Sequence, residues 1–160
     1  MTRKPLKKIY SSTSLARLLI KERARGRRIV FTNGVYDLLH AGHVTLLAKA
    51  KKLGDILVLG LNSDASVRRL KGPTRPMASE KDRALVAAAL EPVDYVTIFS
   101  EDTPYELIQK LRPHILVKGG DYASVRIVGR DLVKRVVRIP LVKGRSTSKL
   151  IGKILKAYGK

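Results

Sequence analysis

Short apolar runs alternate with helix-patterned segments along the chain, and this alternation predicts its secondary structure. The clearest run, residues 55–61, is apolar at almost every position, which is typical of a parallel strand that is buried on both faces. Four further runs of this kind are expected to form strands, at residues 28–32, 94–99, 114–117 and 136–142. Strands that alternate with helices favour an α/β fold with a doubly wound, Rossmann-like parallel sheet.

Capping residues mark where the intervening helices begin. Ser79 is followed three residues later by Asp82, and Thr103 precedes Pro104, so both segments resemble helix starts. The first ten residues are basic and are expected to be flexible. Helices are predicted between the serine-rich segment 11–14 and residue 26, from 43 to 54, over 65–70, 79–90, 103–112 and 123–135, and around 150–155.

Residues 28–43 contain the strongest candidate site. The first strand ends in a turn at Gly34, where glycine permits a backbone conformation that most residues resist. His40 and His43 then open a helix and face one side of its first turn, while Gly42 leaves the backbone open to close approach. Unpaired N–H groups and the positive end of the helix dipole point at the same place. This arrangement favours an anion, above all a phosphoryl group that gains charge in a transition state.

A zinc site is the main alternative for the two histidines. Zinc ligands on one helix normally stand four residues apart and need a third ligand. The chain has no cysteine and only one further histidine, His114, which is expected at the edge of a strand. Phosphate chemistry is therefore favoured, and no metal site formed by the protein is expected.

Two polar segments follow the strand predicted at 55–61. Asn62 and Asp64 stand at its carboxyl end, where the ligands of open parallel sheets collect. The basic loop beyond them carries Lys71 and Arg75. This loop is equally consistent with a plain connector and with a segment that brings cations to triphosphate oxygens.

Three later segments also suit an anion. Arg83 lies in the first turns of a helix, where a cation opposes the dipole and indicates an anionic partner. Lys118 is followed by two glycines that let a flat base or a phosphate approach the backbone, although a plain turn uses the same residues. The hydroxyls at residues 146–148 are ordinary helix caps or, with a glycine before them, a second phosphate cradle.

Length and composition narrow the class of protein. The chain has 160 residues, enough for one compact domain with its own core, and we expect a single domain over 1–160. The lack of cysteine excludes a disulfide scaffold and a thiol nucleophile. No apolar run approaches membrane-spanning length, so a cytoplasmic protein without a membrane partner is expected.

The net charge of +20 comes from 33 Lys and Arg against 13 Asp and Glu, and it favours anionic partners. The charges are spread along the whole chain, and neither aromatic interleaving nor a nucleic-acid motif accompanies them. A solvated basic surface is therefore favoured over specific recognition of nucleic acid.

The chain contains Gly34-Val35-Tyr36-Asp37 followed by His40-Ala41-Gly42-His43. This pair of segments resembles the signature of the HxGH nucleotidyltransferases, the cytidylyltransferase-like superfamily. The likeness extends over about residues 8–157, through segments at 32–34, 62–64, 71–76, 101–104, 118–122 and 146–148. Together these segments resemble the adenylyltransferase half of the ADP-heptose synthases. The resemblance implies adenylyl transfer from ATP to D-glycero-β-D-manno-heptose 1-phosphate, with release of pyrophosphate, for the lipopolysaccharide core.

The resemblance also implies roles for individual residues. His40 and His43 would hold the α-phosphate and stabilise the transition state, Lys71 would bind phosphate, and ATP would bring a magnesium ion. Residues 119–121 would border the base and residues 146–148 the phosphates. The nucleotide-binding residues implied in this way are Thr32, Asn33, Gly34, Gly42, Asn62, Asp64, Arg83, Lys118, Gly119, Gly120, Asp121, Ser146, Thr147 and Ser148.

Many members of the family that this chain resembles carry a fused sugar kinase. The chain shows no kinase half, so the resemblance implies a stand-alone enzyme or one that works with a separate sugar kinase, and it also suggests a homodimer. Two alternatives stay open. One is another phosphate-ester nucleotidyltransferase, similar to the glycerol-3-phosphate cytidylyltransferases, and the other is a non-catalytic basic protein that binds nucleotides or nucleic acid.

Overall fold

The computed structural model describes residues 4–120, 127–140, 142 and 144–159. Within these ranges five strands form one sheet: β1 (Ile29–Gly34), β2 (Ile56–Asn62), β3 (Tyr95–Phe99), β4 (Ile115–Gly119) and β5 (Arg135–Ile139). The α-helices of the same ranges are α1 (Ser12–Ala24), α2 (Ala41–Lys51), α3 (Asp64–Lys71), α4 (Glu80–Ala89), α5 (Tyr105–Leu111) and α6 (Thr147–Tyr158). Short 3-10 helices lie at Pro5–Lys8 and Arg130–Leu132.

The strands are parallel and lie in the order β3-β2-β1-β4-β5. Every residue of β2 is buried, as its continuous apolar run predicts, whereas the edge strand β5 keeps its arginines exposed. The chain runs outward from β1 to β3 and then returns to place β4 on the other side of β1. This order confirms the predicted doubly wound, Rossmann-like sheet.

Helices cover both faces of the sheet because its strands direct apolar side chains to both faces. On one face, α2 and α4 form a buried cluster with the sheet, to which Val30 and Leu47 belong. On the other face, α1 and α5 form a second cluster, which includes Leu15, Phe31 and Ile108. The core is therefore two apolar layers, one on each side of the sheet.

Serine side chains cap four helices. Ser11, Ser63, Ser79 and Ser146 each accept a hydrogen bond, at 3.2 Å, from the backbone N–H three residues further on. These caps satisfy N–H groups that the first helical turn leaves without a partner. At α5 the N-cap is Pro104, so this helix begins one residue later than the capping pattern predicts.

The helix predicted over 123–135 is wrong for the part that the structure describes. Residues 127–132 form a turn and a 3-10 helix, and β5 already begins at Arg135. Gly129 has a left-handed φ of +83°, and a Cβ there would stand only 2.5 Å from Cδ1 of Ile108. The chain therefore packs so closely on α5 that a regular helix with side chains does not fit.

The basic segment 1–10, whose flexibility stays a prediction, contacts the core from Pro5 onward. The 3-10 helix ends at Lys8, which is buried. Its Nζ donates hydrogen bonds to the carbonyl oxygens of Leu90 (3.3 Å) and Val93 (2.8 Å), and the next residue pairs with β3. These long-range bonds connect the segment to the core, because a buried ammonium group needs acceptors that only the folded core supplies.

The last helix, α6, is the least enclosed. None of its residues is buried, and its apolar side chains become more exposed towards its end, from 37% at Leu150 to 83% at Tyr158. Its first residue, Thr147, donates a hydrogen bond from Oγ1 to the carbonyl oxygen of Leu38 at 3.4 Å. Neither α6 nor another helix of the described residues is long and apolar enough to cross a bilayer.

Candidate active site

The candidate site lies at the carboxyl edge of the sheet, between the ends of β1 and β4. The order of the strands reverses between these two neighbours, because the chain moves away from β1 on one side and returns to it on the other. Open α/β sheets bind their ligands in the crevice at such a point. The end of β1 leads directly to the start of α2, where the sequence predicts phosphate chemistry.

His40 and His43 stand side by side at the start of α2. His40 is the N-cap residue, in an extended conformation with φ −145° and ψ 169°, and His43 lies in the first turn. Their rings are stacked, with centroids 3.9 Å apart and planes 21° apart. This confirms the prediction that both imidazoles face one side of the helix, while their chemical role stays a prediction.

Gly42 makes this stack possible. A Cβ on Gly42 would stand 3.0 Å from both Cε1 and Nδ1 of His40, and 3.4 Å from Cβ of Arg145. The open space that the sequence assigns to an approaching ligand is therefore filled by the His40 ring. Since interiors are close-packed, a larger residue here would displace that ring.

Tyr36 positions His43, and the sequence did not single it out. It has a left-handed φ of +48°, and its ring covers Gly34, where an added Cβ would stand 3.0 Å from Cε2 of the tyrosine. The Tyr36 and His43 ring centroids are 4.7 Å apart. Burial raises the pKa of Tyr36, and its hydrogen bond with Thr32 opposes this effect. Thr32 and Gly34 thus contact the tyrosine that packs against His43.

Burial keeps both imidazoles neutral near pH 7. It lowers the pKa of His43 to about 4, and the neighbouring His40 adds to the effect. Burial also lowers the pKa of His40, with a second contribution from the positive charge of Arg145. Each ring therefore carries one N–H donor and one acceptor nitrogen.

The position of these protons follows from the Nδ1 atoms. Both Nδ1 atoms are buried, and neither finds a hydrogen-bond partner among the described residues. A buried acceptor without a partner is tolerated better than a buried N–H without one. The proton is therefore favoured on Nε2 of both His40 and His43, which leaves one N–H donor on each ring for a ligand.

Lys118 joins the end of β4 to the end of β1. Its Nζ donates a hydrogen bond to Oδ1 of Asn33 at 2.5 Å, and burial lowers the pKa of Lys118 to about 8. Gly119 ends β4, and Gly120, with φ +107°, donates its N–H to a carbonyl oxygen of β5. Asp121, the remaining member of this predicted group, lies outside the described residues.

Asn62, Asp64 and Arg83 form a hydrogen-bonded network next to the site. The buried guanidinium of Arg83 donates to the carbonyl oxygens of Val35 (2.6 Å), Asn62 (2.8 Å) and Ala78 (3.1 Å). It also pairs with Oδ1 of Asp64 at 2.7 Å. The anionic partner that the position of Arg83 predicts is thus supplied by the protein itself. Direct contact of these three residues with a nucleotide stays a prediction.

Asp37 fixes the loop that follows α3, a role that its place in the motif did not reveal. Its carboxylate is 1% exposed and pairs with Nε of Arg75 at 2.6 Å. It also accepts hydrogen bonds from the backbone N–H groups of Met77 (2.7 Å) and Ala78 (3.0 Å). Lys71, the predicted phosphate-binding lysine, is exposed at the end of α3, directly before this loop.

The start of α6 lies beside the start of α2. Ser146 caps α6 and Thr147 bonds to the chain before His40, so both hydroxyls have local partners, whereas Ser148 is exposed in the first turn. Arg145 directly precedes them and is exposed. The structure therefore brings the predicted hydroxyl cluster next to the histidine pair, and it adds the cation Arg145 to this cluster.

Among the described residues, no group of three or more His, Cys, Asp or Glu side chains is placed to hold a metal ion. His114 lies at the amino end of β4, at the opposite edge of the sheet from the stacked pair. Its Nδ1 accepts a hydrogen bond from the N–H of Ile29 at 2.9 Å. The third histidine is therefore a strand-edge residue and not part of the site.

The chain is similar to known proteins over most of its length. The bifunctional protein HldE of Syntrophotalea carbinolica is 59% identical over 155 residues, which are 94% of this chain and 32% of that protein. The protein of the same name from Geobacter metallireducens is 57% identical over 156 residues, which are 95% and 32% of the two chains. The chain thus spans about a third of the length of the curated relatives it matches.

A solved structure supports the same relationship. The lipopolysaccharide core biosynthesis protein from Thermoplasma volcanium superposes with a TM-score of 0.60 at 27% identity, over 75% of this chain and all of that chain. Residues 31–151 match the model of the family described as cytidylyltransferase-like. These similarities confirm the resemblance seen in the sequence and the prediction of a nucleotidyltransferase enzyme. The chain belongs to the cytidylyltransferase-like family.

Proposed function

We propose that the protein transfers the adenylyl group of ATP to D-glycero-β-D-manno-heptose 1-phosphate, giving ADP-heptose and pyrophosphate for the lipopolysaccharide core. The observation that carries this proposal is the pair of neutral, stacked imidazoles at the start of α2. The choice of acceptor is supported by the resemblance in the sequence and by the similarity to HldE proteins and to a lipopolysaccharide core biosynthesis protein.

The reaction is an in-line displacement at phosphorus. A phosphate oxygen of the sugar attacks the α-phosphorus of ATP, and the bond from that phosphorus to the β-phosphate oxygen breaks as pyrophosphate leaves. No covalent intermediate with the protein is needed, so catalysis consists of positioning and of stabilising the charge that develops. The magnesium ion enters as part of the MgATP substrate.

His40 and His43 stabilise the α-phosphoryl group in this mechanism. Their favoured tautomer carries the proton on Nε2, so each ring offers one N–H to the oxygens that gain charge as the bonds exchange. The unpaired backbone N–H groups and the dipole at the start of α2 act in the same direction. Contact with the Tyr36 ring holds His43 in place before the substrate arrives, which avoids the cost of reorganisation during the reaction.

Lys118 and the glycines after it form the nucleotide side of the site. Lys118 is held by Asn33 and, with a pKa of about 8, carries a positive charge in most molecules at pH 7. Gly119 and Gly120 have no side chains beyond hydrogen, so the adenine ring can lie against their backbone.

Cations and hydroxyls around the site bind the remaining phosphates. The hydroxyls of Ser146, Thr147 and Ser148 stand at the start of α6, where backbone N–H groups also face an anion. Lys71 stands at the end of α3, directly before the loop that Asp37 anchors. Its exposed side chain retains the freedom to reach a bound triphosphate.

One substrate panel tests the proposal. The purified protein and magnesium are incubated with ATP or CTP, each combined with the heptose 1-phosphate or with glycerol 3-phosphate, and pyrophosphate release is measured. We expect release only with ATP and the heptose phosphate. Release with CTP, or with glycerol 3-phosphate, would assign the enzyme to another acceptor class of the same family. Nucleotide binding without any release would favour a non-catalytic nucleotide-binding protein.

The partners and location also belong to this proposal. A cytoplasmic enzyme has direct access to ATP, and the sugar phosphate would come from a separate sugar kinase. The exposed apolar side chains of α6, Ile154 and Leu155 among them, support a homodimer. Sedimentation equilibrium of the full chain measures the mass, and a monomer at micromolar concentration would contradict the dimer.

A further inference from the structure

The histidine pair itself brings no fixed positive charge to the candidate site. Both imidazoles are neutral near pH 7, so they donate hydrogen bonds but do not neutralise an anion. A triphosphate brings several negative charges, and the leaving pyrophosphate gains more as its bond to the α-phosphorus breaks. An efficient site therefore needs a cation close to the imidazoles that remains charged at every working pH.

Arg145 is placed to supply this charge. Its Cβ would lie 3.4 Å from a Cβ on Gly42, which puts the arginine against the first turn of α2. Its charge contributes to the lowered pKa of His40, so its guanidinium lies within electrostatic reach of that imidazole. Arg145 also directly precedes Ser146, the N-cap of α6, and thus stands between two helix N-termini.

The guanidinium of Arg145 is available to a ligand. The residue is exposed, and its side chain has no hydrogen bond or ion pair with the described part of the chain. The contrast is Arg83, whose guanidinium is buried and bonded to a carboxylate and three carbonyl oxygens. Guanidinium groups stay protonated in proteins and match two phosphate oxygens at once.

We propose that Arg145 binds the two terminal phosphates of the triphosphate and holds the pyrophosphate as it leaves. This assignment rests on the proposed function, because it takes the α-phosphate to lie at His40 and His43. The terminal phosphates then extend from the histidines towards α6, where Arg145 and the hydroxyls of residues 146–148 lie. The acceptor sugar phosphate approaches from the opposite side, as an in-line displacement requires.

Binding of inorganic pyrophosphate tests the assignment without any acceptor or base. Magnesium pyrophosphate is titrated calorimetrically into the full chain, as wild type, Arg145→Gln, Arg145→Lys and Lys149→Gln. We expect Arg145→Gln to weaken binding about tenfold or more, which is about 1.4 kcal/mol or more, because it removes charged hydrogen bonds to the phosphates. Arg145→Lys should bind pyrophosphate more weakly than the wild type and more tightly than Arg145→Gln, because an ammonium group keeps the charge but lacks the planar fork of the guanidinium.

Lys149→Gln is the matched control, because it removes the same charge from the exposed first turn of α6. Equal weakening by Lys149→Gln and Arg145→Gln would overturn the assignment and indicate a general effect of surface charge. Absence of pyrophosphate binding to the wild type would overturn it as well. Thermal unfolding of each variant shows whether the fold is retained. If Arg145→Gln does not fold, Arg145→Lys, which keeps the charge, still tests whether the guanidinium is needed.

Two further readouts separate this assignment from the proposed function. In an NMR titration, Arg145→Gln should raise the pKa of His40 towards its ordinary value, and Lys149→Gln should leave it unchanged. Failure of the wild type to use ATP with the heptose phosphate would contradict the proposed function alone, because pyrophosphate binding depends neither on the base nor on the acceptor. An unchanged pKa of His40 in Arg145→Gln would contradict the placement of Arg145 beside the imidazole.

Discussion

Arg83 decides between two accounts of the helix that follows the basic loop. In one account its guanidinium contacts the nucleotide, and in the other it holds the protein together. The structure gives its side chain no exposure and pairs it with Asp64 and with the carbonyl oxygens of three residues. Those oxygens belong to the chain after β1, the end of β2 and the loop before α4. We therefore expect Arg83→Met to destabilise the fold first and to affect catalysis through that loss.

The magnitude follows from what the substitution leaves behind. Methionine fills much of the same volume, but three buried carbonyl oxygens lose a donor and the Asp64 carboxylate loses its cation. Removing one partner of a buried ion pair costs about 3–5 kcal/mol. Because Asp64 is 24% exposed and water can solvate it, we expect a value near the lower limit, about 3 kcal/mol. Arg83→Lys keeps the charge and loses some of the bonds, so its loss should be smaller.

Urea unfolding followed by circular dichroism measures these differences, and Lys81→Met on the exposed face of α4 is the control. The control should stay within about 0.5 kcal/mol of the wild type, as surface substitutions usually do. The reasoning is refuted if Arg83→Met unfolds within about 1 kcal/mol of the wild type while the KM for ATP rises strongly. That combination would assign Arg83 to the nucleotide.

Three other substitutions or conditions probe the site. Gly42→Ala should lower kcat about tenfold or more with little loss of stability, because the Cβ displaces a catalytic ring; Gly152→Ala, which meets no atom within 4 Å, should leave kcat unchanged. The pKa of His43 is 6.5 in the unfolded chain and about 4 in the folded chain. Between these two values only the unfolded chain binds the proton, so the free energy of unfolding falls as the pH drops. From pH 7.5 to pH 5 the loss of stability from His43 alone is at most about 2 kcal/mol, and it is smaller because water screens the partly exposed ring. Urea unfolding should show this loss reduced in His43→Gln. Asp37→Ala should lower the free energy of unfolding by about 3 kcal/mol and speed tryptic cleavage after Lys71. An unchanged digestion rate would contradict the anchoring of the loop after α3 by Asp37.

The parts of the fold that the sequence predicts are those set by local pattern. The apolar run of β2 indicates a buried parallel strand because no polar position interrupts it. Ser63 and Ser79 mark helix starts because their hydroxyls satisfy N–H groups three residues away. The stacking of His40 on His43 follows from their spacing at the start of one helix.

The parts that the sequence does not predict depend on partners far along the chain. Lys8 belongs to a basic segment without a helix or strand pattern, and its buried Nζ bonds to carbonyl oxygens more than 80 residues away. The sequence position of Arg83 suggests a ligand-binding cation, but most of its acceptors come from two distant segments of the chain, at Val35 and at residues 62–64. Gly129 ends the expected helix because Ile108 of α5 occupies the space of a side chain. Such contacts become visible only when the chain is folded.

The turnover of a histidine variant tests the central claim most directly, namely that neutral imidazoles at the start of α2 stabilise the reacting phosphoryl group. Pyrophosphate release from ATP and the heptose 1-phosphate is compared in wild type, His43→Ala and His114→Asn, with thermal unfolding of each. His114→Asn removes an imidazole at the opposite edge of the sheet and should keep the kcat of the wild type. We predict that His43→Ala lowers kcat about 100- to 1,000-fold while the protein stays folded, as expected for loss of one transition-state donor. A folded His43→Ala protein with the kcat of the wild type would contradict the claim.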